Sequence, residues 1–206
     1  MEVPSVFQGL IMDSTQTPTP TAPIGPKRAD AKRNHERILT AARAAFAEGG
    51  DSTSLEEIAR RAGVGIGTLY RHFPNRQVLL ETLYVNEVHE VCRSAPQRER
   101  DPWKALSVWC EGLIGYLITK RALAQELLNY LDEDASLFQE CRQTVFAAGE
   151  PLLGRAQDAG VVRPDVEFAD VLHMLAGISR MPASDPDQVA HVVRIALDGL
   201  RYRPQG

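Results

Sequence analysis

The sequence predicts an all-α protein in which short helices near the N-terminus precede a larger helical region. Two observations predict this class: apolar residues recur at intervals of three and four along most of the chain, and no stretch alternates apolar and polar residues as a strand does. The composition is that of a globular chain, since 44% of the 206 residues are hydrophobic and 24% are charged. We expect a helical protein with a sizeable core.

The first two helices are predicted from their boundary residues. An apolar stripe at helical spacing runs over residues 30–48 and ends at Gly49. Thr53 or Ser54 can cap a second, short helix, because a hydroxyl there is followed three residues later by a glutamate. Gly63 is expected to end this helix in the left-handed conformation, which costs glycine no Cβ clash.

Two further helices complete the N-terminal region. The third is short and covers about residues 66–72, before the Phe-Pro pair that follows it. Asn75 opens a fourth helix that is apolar on one side and runs to about Ser94. Pro96 and the charged residues after it predict a boundary between two helical regions.

The second helical region begins with a segment that carries Trp103 on an apolar stripe. We expect this helix to break near Lys120, and a second apolar stripe to follow the break. Another helix starts near Ala135 and closes at Gly160. It must be kinked or split at Pro151, because proline removes a backbone donor and clashes with the preceding turn.

Two final helices are predicted from their capping residues. Asp165 can cap a helix over about residues 166–179. Asp185 followed by Pro186 is typical of a helix start, and this last helix is expected to run to about Tyr202.

Charge is distributed unevenly along the chain. We expect a flexible Pro/Thr-rich tail at 1–26, a first domain at 27–95 and a second at 101–206. Residues 27–76 hold 10 Lys and Arg against 6 Asp and Glu, whereas residues 101–206 hold 10 against 15. A basic N-terminal piece on an acidic body is the pattern expected of local phosphate binding.

Several classes of protein are disfavoured by what the sequence lacks. Cys92, Cys110 and Cys141 are widely spaced, so we expect buried reduced thiols, with a redox pair as the alternative and neither metal nor cofactor. An enzyme is a further alternative because of the acidic run 132–134, but no catalytic motif accompanies it. No apolar run is long enough to span a membrane, and a cytoplasmic location is expected.

Residues 54–73 carry the motif with the clearest function. A short helix, a glycine turn and a second short helix form a helix-turn-helix, whose second helix enters a DNA major groove about 12 Å wide. The residues that can pack inward are Ile58, Ala59, Ala62, Val64, Leu69 and Phe73. The residues left for the outer face are Gly65, Ile66, Gly67, Thr68, Tyr70, Arg71 and His72.

The run I-A-x-x-A-G-V-x-x-G-T-L-Y-x-H-F-x-N-R at residues 58–76 resembles the signature of the TetR family of regulators. The resemblance covers about residues 33–84, and Gly65 departs from it where a serine often caps the second helix of the motif. It implies a three-helix DNA-binding domain, joined by a fourth helix to a ligand-binding and dimerisation domain. It also implies a homodimer on palindromic double-stranded operator DNA, and a repressor that an unknown small molecule releases.

The resemblance also implies which residues meet DNA. Thr68 and Tyr70 are expected against the backbone and nearby bases, Arg71 against a base edge, and His72 and Arg76 against phosphates. The complete set of expected contacts is Thr53, Ser54, Gly65, Ile66, Gly67, Thr68, Tyr70, Arg71, His72, Arg76, Lys32 and Arg33. The alternative for the whole protein is a DNA-binding regulator without a small-molecule effector.

Candidates for the ligand pocket and the dimer interface follow from apolar positions in the second region. The pocket candidates are Trp103, Trp109, Tyr116, Phe138, His173 and Met174, since ligand sites are mostly apolar with few polar groups. Apolar faces on the last two helices suggest a four-helix bundle between subunits, through Val171, Leu175, Ile178, Val189, Val193, Ala196 and Leu200. In both sets the alternative is that the side chains only fill the core of the monomer.

Overall fold

A computed structural model describes residues 26–49, 52–132, 135–181 and 186–201. These residues form eight α-helices and one isolated β-bridge, so the predicted all-α class is confirmed. None of the described helices is long and apolar enough to cross a membrane. The helices are α1 Pro26–Gly49, α2 Leu55–Ala62, α3 Ile66–His72, α4 Arg76–Arg93, α5 Pro102–Leu127, α6 Ser136–Asp158, α7 Phe168–Ile178 and α8 Pro186–Asp198.

Helices α1 to α4 form the N-terminal region, in which α1 packs against α2 and α4. Helix α1 begins at Pro26, earlier than the expected Asp30, and proline is well suited to a first helical position. The predicted tail lies outside the described residues except for Pro26 itself. The buried side chains Ile38, Ile58 and Leu69 join the first three helices in one apolar core.

Helix α5 is continuous, so the predicted break near Lys120 is wrong. The side chain of Asp101 caps the helix by accepting a hydrogen bond from the Lys104 N–H at 3.1 Å. The helix then runs without interruption to Leu127. Lysine and arginine lose little rotamer freedom in a helix, and α5 is packed by α4, α6 and α7, so a local drop in hydrophobicity does not end it.

Helix α6 contains Pro151 and is nevertheless a single helix, so the predicted split does not occur. Pro151 and Ala147 both lie on the exposed side, where water can reach the carbonyl that proline leaves without a helical donor. On the buried side, Gly149 packs directly against Phe168. A Cβ on Gly149 would lie 2.1 Å from the ring carbon Cζ of Phe168, so α6 and α7 require glycine there.

Helix α7 begins two residues later than the sequence suggested. Asp165 does not cap it, because its carboxylate pairs with Arg163 at 2.6 Å in the preceding turn. Glu167 and Asp170 form the capping box instead. Helix α8 ends at Asp198, so the expected end near Tyr202 is wrong: Gly199 and Leu200 form a turn, and Arg201 pairs with Val162 in the isolated bridge. The expected cap Asp185 lies outside the described residues.

Candidate nucleic-acid interface and internal cavity

Helices α2 and α3 are joined by the tight turn that the glycine spacing predicted. The Ser54 hydroxyl caps α2 by accepting a hydrogen bond from the Glu57 N–H at 3.1 Å. Gly63 ends the helix with φ +63°, in the left-handed region that favours glycine. A Cβ there would also lie 2.5 Å from an Arg37 nitrogen, so the turn fits closely under α1.

The outer face of α3 is exposed, as a helix that enters a groove must be. Ile66 is 38% exposed and Tyr70 is 45% exposed, so both large side chains reach the surface of α3. Arg71 lies along the same face and donates hydrogen bonds to the Gly67 carbonyl and, at 3.0 Å, to the Thr68 hydroxyl. The Arg71 side chain is therefore held against the outer face of α3 by its own helix.

Two glycines at the start of α3 are not required by packing against any residue that the structure describes. Gly65 caps the helix without a side-chain hydrogen bond, and a Cβ on Gly65 or Gly67 would meet nothing within 4 Å. Their small size is therefore not required by internal packing. It keeps the outer surface flat at the place where a DNA backbone would approach.

Thr53 does not lie on this surface, and its predicted phosphate contact is wrong. Its side chain is 7% exposed, and its hydroxyl donates a hydrogen bond to the Ala45 carbonyl at 2.9 Å. The neighbouring Ser54 is exposed at the N-terminus of α2. Only Ser54 of this pair lies where it could meet a phosphate.

Arg76 also differs from its predicted position as a phosphate anchor. Its guanidinium donates to the Thr53 carbonyl and pairs with Glu126 of α5 at 2.7 Å. It also lies over the Phe46 ring, 4.9 Å from the centroid. The prediction is corrected because these contacts turn the guanidinium inward, where it joins the N-terminal region to α5.

His72 lies at the C-terminal end of α3 in a small aromatic cluster. The His35 ring of α1 stacks on Phe73 at 4.9 Å and meets the His72 ring edge-on at 5.9 Å. Burial lowers the pKa of His35, and the neighbouring His72 acts in the same direction. His72 itself is half-buried, so one side of its ring remains available at the surface.

The basic residues around the motif fall into two groups. Lys32 and Arg33 are exposed on α1, where each is close to a carboxylate of its own helix, Glu36 and Asp30 respectively. On α2, Arg60 and Arg61 both pair with Glu57, whose pKa is lowered to about 2 by these hydrogen bonds. Arg60 is thus held along α2, and Arg61 also pairs with Glu48 of α1 at 2.6 Å, so both arginines already have carboxylate partners on α1 or α2.

A cavity of about 440 Å³ lies among α4, α5, α6 and α7. Three predicted pocket residues line it: Tyr116, Phe138 and His173. The other three do not. The described residues that line the cavity are Tyr84, Tyr116, Leu117, Lys120, Ala124, Leu128, Phe138, Gln139, Arg142, Val145, Leu172, His173 and Ala176.

Trp103, Trp109 and Met174 are corrections to the predicted pocket. Trp109 is 2% exposed and its indole N–H donates to the Val91 carbonyl at 2.9 Å, so it joins α5 to α4. Trp103 packs under Arg201, whose guanidinium lies 5.0 Å from the ring centroid. Met174 is a partly buried side chain that packs against the core. Apolar periodicity alone did not distinguish these positions from a cavity wall.

The two charged groups of the cavity were not predicted from the sequence, unlike Tyr116 and His173. Lys120 and Arg142 bring two positive charges to it, from α5 and α6. Burial lowers the pKa of Lys120, and Arg142 lowers it further. Burial raises the pKa of Tyr116, whose hydroxyl finds no hydrogen-bond partner in the described part of the chain. The sequence offered one indication of a charged cavity wall, namely that Lys120 lies on a helix whose apolar stripe is rich in leucine.

The three cysteines are free thiols. Cys110 and Cys141 are buried and Cys92 is half-buried. Burial raises the pKa of each, to about 11 for Cys92 and Cys141 and to about 12 for Cys110. No group of three or more His, Cys, Asp and Glu side chains suited to a metal occurs among the described residues.

The predicted dimer set is largely inside the monomer. Five of its seven members have 0% to 7% of their surface exposed and pack in the core: Val171, Leu175, Val189, Val193 and Leu200. Ile178 and Ala196 are half-buried. The opposite face of α8 instead exposes Ile195, at 59%. The prediction is corrected for the five core residues, because they fill the space between α5, α7 and α8.

Comparison with solved structures places this arrangement among transcription regulators. A TetR transcriptional regulator from Streptomyces coelicolor has 38% identity and a TM-score of 0.71, over 81% of this chain and 98% of that chain. A TetR regulatory protein from Mycobacterium vanbaalenii has 33% identity and a TM-score of 0.70, over 86% and 100%.

Comparison with protein families also places the chain among TetR-type regulators. The family of bacterial regulatory proteins called tetR matches residues 38–83, and the C-terminal domain of transcriptional regulators like SbtR matches residues 101–202. Two HTH-type transcriptional regulators of Staphylococcus aureus are 36% identical over 67 residues and 31% identical over 102 residues. These stretches are 32% and 48% of this chain, and they span only 35% and 55% of the relatives.

Proposed function

Because this chain belongs to the TetR family of transcriptional regulators, we propose that it binds operator DNA as a homodimer and that a small molecule in its cavity releases it. The observation that carries the DNA-binding part is the exposed outer face of α3. Large side chains at Ile66 and Tyr70 face solvent there, beside two glycines that internal packing does not require. Such a face suits the floor of a major groove.

The contacts divide by position on this face. Thr68, Tyr70 and Arg71 would approach base edges and the adjoining backbone, because they follow one another on the exposed side of α3. Ile66 offers an apolar surface to a thymine methyl group. Ser54 and His72 stand at the two ends of the motif, where phosphates would pass. Lys32 and Arg33 add attraction that weakens as salt concentration rises.

Dimerisation is proposed through the outer faces of α7 and α8. Ile195 is exposed on α8, and Ile178 of α7 and Ala196 of α8 are half-buried. Gly177 offers a small exposed position at which a partner helix could approach closely. Two such helices from each subunit would form a four-helix bundle. The two copies of α3 would then meet half-sites roughly 34 to 36 Å apart.

DNA binding is tested by selecting bound duplexes from a random pool and measuring affinity for the selected site. We expect a palindrome. Tyr70→Ala should weaken binding to it roughly tenfold to a hundredfold, the range expected when groove contacts are lost. Tyr130→Ala is the matched control, since the two tyrosines are 45% and 44% exposed. Equal affinity of the Tyr70→Ala variant and the wild-type protein would contradict the assignment of α3.

Dimerisation is tested by light scattering, which should give about twice the chain mass of 22.7 kDa. Ile195→Asp places a charge in the proposed interface and should shift the protein toward monomer. Val108→Asp is the matched control, because Val108 is 53% exposed on α5, where no interface is proposed. A wild-type monomer at micromolar concentration, or equal effects of the two variants, would contradict the bundle.

A further inference from the structure

The walls of the cavity are apolar, and its charged groups are all of one sign. Leucine, alanine and aromatic side chains form most of the surface. Lys120 and Arg142 enter it from neighbouring helices, and no Asp or Glu is among the described residues that line it. A ligand with an apolar body and a negative group would match both properties of this surface.

Of the two cations at the cavity, Lys120 is the one whose charge is less well compensated by its surroundings. It is half-buried, and no carboxylate of the described residues lies within ion-pair distance of its Nζ atom. The contacts that the structure gives it are aromatic: Nζ lies 5.1 Å from the Tyr84 ring centroid and 5.4 Å from that of Tyr116. The negative faces of these rings offset only part of the lost hydration. An anion beside Nζ would restore the rest.

Tyr116 adds a second polar group that lacks a partner in the same part of the cavity. Its side chain is 6% exposed, and its hydroxyl has no hydrogen-bond partner in the described part of the chain. A buried hydroxyl without a partner is costly, and a ligand oxygen that accepts a hydrogen bond from it would remove that cost. The hydroxyl and the Lys120 amine belong to residues four apart on α5, so they lie on the same face of the helix.

Arg142 is positioned differently from Lys120. It is exposed, and its guanidinium lies 5.1 Å from the centroid of the Phe146 ring of its own helix. It therefore contributes positive potential near the cavity rather than a buried, unpaired charge. One half-buried ammonium and one buried hydroxyl donor suit a single carboxylate better than a doubly charged phosphate.

We propose that the cavity binds an organic acid, with one carboxylate held by Lys120 and Tyr116 and an apolar chain or ring against the leucine and phenylalanine walls. The inference rests on the proposed function in that this acid would be the effector. The volume of about 440 Å³ is that of a pocket for a ligand of moderate size. Neutral alcohols and organic cations of the same body should bind less well.

The experiment uses two matched pairs of probes with the full-length protein. Decanoate is compared with 1-decanol, and 2-naphthoate with 2-naphthalenemethanol, by isothermal titration calorimetry. At least one acid should bind roughly tenfold or more tightly than its alcohol, the size expected of a charge-assisted hydrogen bond. Lys120→Met should remove that preference, while Lys104→Met, at an exposed position of the same helix, should keep it. Tyr116→Phe should weaken acid binding with little effect on alcohols.

The outcomes separate this inference from the proposed function. Failure of both acids to bind, equal binding of acid and alcohol, or equal loss of both probes in folded Lys120→Met would overturn the ligand class. Acid binding that leaves the affinity for the selected DNA unchanged would support the ligand class and contradict only the release step. The circular dichroism spectrum of each variant establishes that the fold is retained.

Discussion

The two regions of the molecule use their prominent side chains in opposite ways. In α1 to α4, the residues expected to contact a partner lie mostly on the outside, as Tyr70 does at 45% exposure. In α5 to α8, most residues expected to contact a partner are core residues, as Trp109 is at 2%. A motif with fixed spacing therefore identifies which residues lie on a functional surface. An apolar stripe indicates only that its face of the helix is buried, and does not identify the neighbour that buries it.

The largest expected effect tests whether Trp109 belongs to the core. Trp109→Ala removes an indole that is 2% exposed and donates to the Val91 carbonyl. The free energy of unfolding should fall by roughly 3 to 5 kcal/mol, as for other large-to-small core changes. Urea denaturation measures it, and Trp103→Ala, at a half-buried position, should cost less. A stable Trp109→Ala protein with altered ligand binding would reverse the assignment.

The junction between the two regions gives the next effect. Glu126 is 5% exposed and pairs with Arg76 at 2.7 Å. Glu126→Ala leaves the guanidinium without this carboxylate and should lower the free energy of unfolding by roughly 1.5 to 3 kcal/mol. Glu111→Ala on the exposed side of the same helix is the control. Identical denaturation midpoints for the two variants would mean that the regions are not joined through this ion pair.

Two glycines of α6, Gly149 and Gly154, distinguish the effect of close packing from that of helix propensity. Gly149→Ala forces a Cβ against Phe168, whose ring also contacts Trp109 and Phe146, and should destabilise the protein by roughly 1 to 3 kcal/mol. Gly154→Ala has nothing within 4 Å of the new Cβ and should stabilise it by roughly 0.5 to 1 kcal/mol. Thermal denaturation of both variants gives the comparison, and shifts of the same sign would contradict the contact with Phe168.

The smallest effect concerns acidity in the N-terminal region. The pKa of His35 is lowered from its ordinary value of 6.5 by burial and by His72, although Glu36 opposes the shift. Because the unfolded chain then binds more protons, the His35 contribution is complete above pH 6.5 and is lost as pH falls through the lower folded pKa. The denaturation midpoint of the wild-type protein should therefore fall more than that of His35→Phe between about pH 7.5 and about pH 5.5. His191→Gln, at an exposed position, should behave as wild type.

Much of the N-terminal fold could be predicted because single residues determine its turns. Ser54, Gly63 and Asn75 each perform the capping role expected of them. Their chemistry is local, so it can be inferred without knowledge of distant contacts. Arg76 shows the limit of such inference. Its partner Glu126 lies 50 positions away in the sequence, and a long-range ion pair leaves no local signal.

The second region could be predicted only as helical. Packing overrides local weakness at Lys120, and solvent exposure lets Pro151 remain inside α6. The apolar faces of α7 and α8 suggested an interface between subunits. In the structure these faces, which include Val171 and Val193, close the core of the monomer instead. Which apolar face meets which neighbour depends on the arrangement of several helices, and that information is not contained in the periodicity of one.

The uninterrupted course of α5 has a mechanical consequence. Lys120 and Glu126 are six residues apart on one stiff rod, a rise of about 9 Å, with no hinge between them. A ligand that rotates or shifts this rod at the amine would carry the carboxylate with it at once. Since that carboxylate holds the Arg76 side chain at the start of α4, and Arg76 in turn holds the carbonyl just before α2, the movement would pass along the α5 backbone and then through this one side-chain junction to the DNA-facing helices.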